Sequence, residues 1–265
     1  MKHYLNSFKD KRILPTLTVD LIFVTIIYFL FTFFSGYLNK ISLTLTAGQT
    51  IEQLQQLMLT APQQAEQILS QYLHFAIIVI ITFILLLIVT LLLCSLARAV
   101  IWNYLLKKKL THKKYWKWVL LNVIIIVPFI LYLIVAVIIK LLLNQLIFLI
   151  KNQALANFFN SIVLFIIILI FVIYLFLTYY SFTKNHQIWE SLGSAFSLIK
   201  SNWNGLWKMT LWVILTAIVL GLILTFILNY LISNPALITI INLLFSLIYL
   251  AWVRIYLFRI IHHEH

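Results

Sequence analysis

Long apolar runs separated by short polar joints set the pattern of this chain. Six runs of twenty or more residues stand out: Leu17–Leu38, Leu73–Ile101, Trp118–Leu143, Phe158–Phe182, Thr210–Leu231 and Leu237–Tyr256. A helix rises about 1.5 Å per residue, so about twenty residues cross a hydrocarbon core of roughly 30 Å. Within the runs the apolar residues are continuous rather than alternating, which excludes barrel strands. A backbone in lipid must satisfy its own amides, and a helix does so within one segment. The pattern predicts an all-α integral membrane fold, a single polytopic domain over residues 1–265, with six transmembrane helices paired as three hairpins.

The polar joints add two shorter helices to this expectation. In the long joint from Asn39 to Gln71, Thr50 and Gln53 have capping-box spacing. Ile51, Leu54, Leu57 and Met58 then recur at helical spacing, predicting a short outer amphipathic helix that Pro62 either breaks or follows with another turn. The second lies between the fourth and fifth runs. At about 100° per residue, Ile188, Leu192, Ala195, Phe196, Ile199 and Trp203 share one stripe, with Glu190, Ser194, Ser197 and Ser201 opposite. Trp189 and Trp203 stand near its ends, as indole rings do where a bilayer meets water. This predicts a cytoplasmic interfacial helix carrying Ile188, Trp189, Leu192, Phe196, Ile199 and Trp203. Between the last two runs, Asn234 and Pro235 read as the cap and first position of the final helix.

Composition strengthens the membrane reading: 64% of residues are apolar and 9% charged, against roughly 25% charged in soluble domains. The basic residues set orientation. With the N-terminus inside, sixteen of the nineteen Lys and Arg residues fall on the cytoplasmic side, leaving Lys40, Lys140 and Lys151 outside. The expected location is the cell (inner) membrane, with both termini cytoplasmic and the first run a retained signal anchor. Lys107, Lys108, Lys109, Lys113, Lys114 and Lys117 crowd one short cytoplasmic joint. That joint is read as a patch for anionic lipid headgroups, each basic residue contributing about 1 kcal/mol near the surface. No nucleic-acid partner is expected; a protein partner or a second copy is compatible.

Candidate chemistry is sparse. Asp20 is the only acid within a run and needs a partner there, since an unpaired charge at mid-membrane costs about 2.5–3.5 kcal/mol on insertion scales. Arg98, Arg254 and Asn122 fall at comparable depth and are the expected partners. Ala217 and Gly221 have the small-xxx-small spacing that lets helices approach closely. Cys94 is alone and reads as packing, and His262, His263, Glu264 and His265 as a solvated tail. Phosphate-loop, serine-elbow and HExxH signatures are absent from the sequence. No catalytic, cofactor-binding or metal-ligating residue is therefore assigned, and no cofactor or enzymatic activity is expected.

The segment from Trp189 through Glu190, Ser191, Leu192, Gly193, Ser194, Ala195, Phe196, Ser197, Leu198, Ile199, Lys200, Ser201 and Asn202 to Trp203 precedes a new apolar run. It resembles a recurring feature of a six-helix membrane superfamily. That group includes YciC-like inner-membrane proteins and the membrane domain attached to some glycerophosphodiester phosphodiesterases. The resemblance implies six spans with an amphipathic helix before an inside-to-outside span, and it carries over no catalytic residue. The function expected is that of a non-catalytic membrane component that organises or senses lipid or supports a partner; the alternative is a transporter or permease subunit.

Overall fold

The computed structural model describes residues 2–46, 62–147, 152–231 and 234–263. Among them the chain is all-helical. The elements are α1 (Lys2–Phe8), α2 (Ile13–Thr46), α3 (Pro62–Leu105), α4 (His112–Ile147), α5 (Gln153–Asn185), α6 (Ile188–Ser201), α7 (Trp203–Leu231) and α8 (Pro235–His263). Six of the eight are long and apolar enough to cross a membrane: α2, α3, α4, α5, α7 and α8. Each extends beyond the apolar run that predicted it, because helical hydrogen bonding continues into polar flanks that hydropathy does not mark. The outer amphipathic helix expected from Thr50 onward lies outside the described residues up to Pro62, where α3 starts.

The chain divides into two compact units, one of residues 1–20 and 95–265 and the other of residues 21–94. In the second unit α2 and α3 together line a small apolar cleft through Phe31, Phe34, Leu38, Val79, Phe83 and Leu86. Along α3, Ile77, Ile80, Ile81, Phe83, Ile84, Leu85, Leu87 and Ile88 are all exposed on the protein surface. A helix apolar on every side and left uncovered by protein has lipid as its fitting solvent.

In the first unit α4 packs on α5, α7 on α8, and α5 also meets α8. Pro128 lies inside α4, which runs on through it. The ends of these helices form the core: Trp102 and Leu105 of α3, Trp118 and Leu121 of α4, Phe176 to Phe182 of α5, Met209 and Val213 of α7, and Trp252 to Ile261 of α8. Aromatic rings dominate it, with Trp118 edge-on to Phe182 at 5.0 Å and tilted against Tyr179 at 5.4 Å. The joint between α3 and α4, at residues 106–111, lies at this packed end.

Local chemistry fixes the joints. Asn234 Oδ1 accepts the Ala236 N–H at 2.9 Å and α8 begins on Pro235, whose missing N–H costs nothing at a first helical position. α6 stops at Asn202, which leaves helical geometry while its N–H still donates to Leu198 O. The Asn202 carbonyl then accepts the Leu206 N–H, so α7 starts at once. His186 turns the chain from α5 into α6 with φ 53°, a left-handed conformation that few non-glycine residues adopt.

Candidate functional site: two aspartates clamped by four arginines

The chain has two aspartates and four arginines, and all six meet in two sites of the first unit. Asp20, buried near the start of α2, accepts from Arg98 Nη1 at 3.1 Å and from Arg254 Nη2 at 2.9 Å. Arg254 has no exposed surface, and its guanidinium lies 5.3 Å from the Phe176 ring centroid, within cation–π range. Among the described residues Arg254 Nε and Nη1 have no hydrogen-bond partner. One acid thus faces two guanidinium groups, an ion-pair cluster in which Asp20 has a cationic partner on each carboxylate oxygen.

Asn122, the fourth residue expected here, belongs to a neighbouring network. Its Nδ2 donates to Ser95 Oγ at 3.0 Å and to Trp118 O at 2.9 Å, while its Oδ1 accepts from the Tyr179 hydroxyl at 2.6 Å. It ties α3, α4 and α5 together beside the ion cluster rather than completing it.

Asp10 makes the second site. It sits between α1 and α2, where its Oδ1 accepts both the Arg12 N–H and Arg12 Nε at 3.0 Å. Its Oδ2 accepts from Arg12 Nη2 at 2.7 Å and from Arg259 Nε at 2.8 Å. Burial works against the charged form, but the bonds from Arg12 and Arg259 outweigh it and hold the carboxyl well below the usual carboxylate range. Arg12 is pushed up in turn, Asp10 favouring its charged form over the opposing cost of burial.

Asp10 also anchors a strap that sequence reading did not foresee. Helix α1 packs on α8, with the Tyr4 ring 4.8 Å from Trp212 and 5.8 Å from both Trp252 and Tyr256. The Tyr4 hydroxyl bonds Thr216 Oγ1 at 2.9 Å, Trp252 Nε1 donates to Ser7 Oγ at 2.8 Å, and Phe8 stacks on Trp252 at 4.7 Å. The spacing of Tyr4, Ser7 and Phe8, three and four residues apart, was the available signal.

The six clustered lysines have unlike roles. Lys108 Nζ donates to Thr183 O at 2.9 Å and Lys184 O at 2.8 Å, and Lys117 Nζ to His186 O at 3.3 Å. Two lysines thus cap the carbonyl end of α5, where the helix dipole favours cations. Lys114 Nζ reaches Lys109 O at 3.4 Å, and Lys107, Lys109 and Lys113 are exposed. No lysine is among the salt bridges of the described residues, all of which are made by arginine. The forked guanidinium fits a carboxylate through two bonds, whereas an ammonium on a flexible stem suits carbonyls and solvent.

Helix α6 is divided into three sectors. Ser191 and Ala195 are buried, with Ile188, Leu192, Ser194, Leu198 and Ile199 half-buried around them, and Ser194 shares a hydrogen bond with Ser181 of α5. Trp189 and Phe196 point away from the protein at 75% and 64% exposure, with Phe196 4.9 Å from Tyr174 on the flank of α5; Trp203, expected at the end of this helix, instead opens α7 after the break at Asn202 and is 59% exposed. Glu190, Ser197 and Ser201 make a third, polar sector, with Lys200 at its border beside Trp189. The apolar stripe read from the sequence is thus split, its smaller members against the bundle and its aromatic members outside.

Ala217 lines an apolar cavity of about 460 Å³ between α5, α7 and α8, together with Phe165, Leu169, Phe245 and Val253. Gly221 faces open space: a methyl group there would meet nothing within 4 Å. Among the described residues, then, the pair makes no close helix approach at Gly221. No group of three or more metal-ligating side chains forms among the described residues. Compared with protein-family models, curated proteins and solved structures, the chain matches none.

Proposed function

We propose that this is a multi-pass protein of the cell membrane, its six spans paired as three hairpins with both termini cytoplasmic. In this reading it is a non-catalytic component that organises anionic lipid at the cytoplasmic face. The observation that carries the reading is the three-way division of α6. A helix with one face on protein, one of exposed Trp and Phe, and one polar fits a place where protein, hydrocarbon and water meet. Trp207 extends the aromatic line, stacked on Trp203 at 6.5 Å. The lysine joint at the packed end supplies positive charge for anionic headgroups. The resemblance of residues 189–203 to the YciC-like superfamily agrees with this reading.

Paired spin labels test it in a reconstituted bilayer. A label at Phe196 should be accessible to oxygen and shielded from a polar relaxation agent, and one at Ser197 should show the reverse. Two labels that both behave as water-exposed would make α6 a solvated segment and remove the basis of the reading.

A further inference from the structure

We infer that the joint between α5 and α6, where Lys108, Lys114 and Lys117 gather around His186 and Lys184 stands beside Lys108, binds the phosphate group of an anionic membrane lipid. The site deepens the lipid-organising reading and rests on it. Its four ammonium groups come from the joint before α4, from α4 itself and from the end of α5. None of the four pairs with a carboxylate among the described residues. The acid next in sequence, Glu190 of α6, is exposed and accepts from Asn185 Nδ2 at 3.0 Å.

Two lysines are held in place rather than left to swing in solvent. Lys108 is bonded to Thr183 O and Lys184 O, and Lys117 to His186 O, so their charges are fixed at the joint before any ligand arrives. Lys184 is held too, its Nζ 4.5 Å above the Tyr180 ring. Each ammonium has three donors, and the carbonyl contacts use two on Lys108 and one on Lys117. Fixed like charges that repel one another are relieved by an anion bridging them.

His186 sits within this field. Its ring packs edge-on against Phe182 at 5.6 Å, and neither ring nitrogen has a hydrogen-bond partner among the described residues. Burial lowers its pKa from the ordinary histidine value, and Lys114, Lys108 and Lys117 lower it further. Lys108 is itself pushed down by burial and by Lys114 and Lys184. A lipid rather than a free anion fits because Trp189, three residues past His186, is the most exposed of the outward aromatic side chains of α6. A headgroup at the lysines would leave its chains beside that aromatic sector.

The test uses the full-length protein in detergent micelles, titrated with short-chain phosphatidylglycerol, the matching phosphatidylcholine, or inorganic phosphate. The His186 imidazole is followed by NMR and assigned by its loss in His186→Asn. Phosphatidylglycerol should raise the His186 pKa, because a fixed anion offsets the lysines, while phosphatidylcholine should not, and inorganic phosphate only at far higher concentration. Lys114→Gln, whose side chain caps no helix end, should weaken phosphatidylglycerol binding roughly fivefold, and Lys208→Gln should leave it unchanged. No rise with phosphatidylglycerol overturns the site. An equal rise with inorganic phosphate at the same concentration makes it a free-anion site, and equal weakening by Lys208→Gln makes the attraction diffuse; either result overturns the inference. The depth of a Phe196 label does not depend on headgroup charge, so failure here with Phe196 in lipid removes this site alone.

Discussion

Asp20 and Arg254 stand 234 residues apart in the chain and meet at 2.9 Å with almost no exposed surface on either side chain. The pair joins α2 to α8, and Arg98 brings in the end of α3. Removing one partner of such a cluster leaves uncompensated buried charge, which costs more than the net contribution of the intact bridge.

Asp20→Asn should therefore lower stability by about 3–5 kcal/mol, the usual loss when a buried pair is broken from one side. Arg98→Gln made in that background should add little, because the carboxylate it served is gone. Thermal unfolding of the detergent-solubilised variants measures both effects. Fully additive losses would show that Arg98 contributes through contacts other than Asp20.

The strap of α1 gives a pH prediction. A spin label at Leu5, which is 53% exposed and outside the aromatic contacts, reports whether the strap is docked. The folded pKa of Asp10 lies below its unfolded value near 3.9. Its contribution is therefore complete above that value and fades only as pH falls through the lower folded one. The label should stay immobile at pH 5 and loosen only in stronger acid, whereas Asp10→Asn should loosen it at neutral pH. Release of the wild-type strap already at pH 5 contradicts the Asp10 anchor.

What the sequence discloses depends on how local the cause is. A span needs only an apolar run of sufficient length, so all six were legible in hydropathy alone. Helix α6 was legible from its period, yet period shows which residues share a face and not which face meets protein. Ser194 was read with the water-facing serines but bonds Ser181, and Ala195 is buried while its neighbour Phe196 is exposed. Small residues allow the close approach that decides this, and the approach depends on α5. The Arg259 contact to Asp10 was equally hidden, since it forms only once α1 has folded against α8.

Lys108 and Lys107 are neighbours that should respond differently to substitution. Lys108→Met removes two charge-assisted bonds to the last carbonyls of α5, worth about 1–2 kcal/mol at a half-buried site. Lys107→Met removes an exposed side chain and should change stability by less than about 0.5 kcal/mol. Unfolding midpoints in detergent compare the two, and equal losses would rule out the capping role.

Orientation follows from where basic residues can cross. Moving a lysine-rich joint across the membrane is opposed during insertion, which is why short cytoplasmic joints carry the excess of Lys and Arg. Here sixteen of nineteen fall on one side of the proposed topology, and the packed end holds the lysine joint together with Arg12, Arg98, Arg254 and Arg259. With Cys94 replaced by alanine, single cysteines at Gln56 and Lys151 should react with a membrane-impermeant thiol reagent on intact cells. A cysteine at Lys109, an exposed position, should react only after the membrane is opened. Exposure at Lys109 means that failure to label in intact cells reports the side of the membrane rather than burial. Labelling there before lysis would invert the topology and place the lysines, His186 and α6 on the outer face.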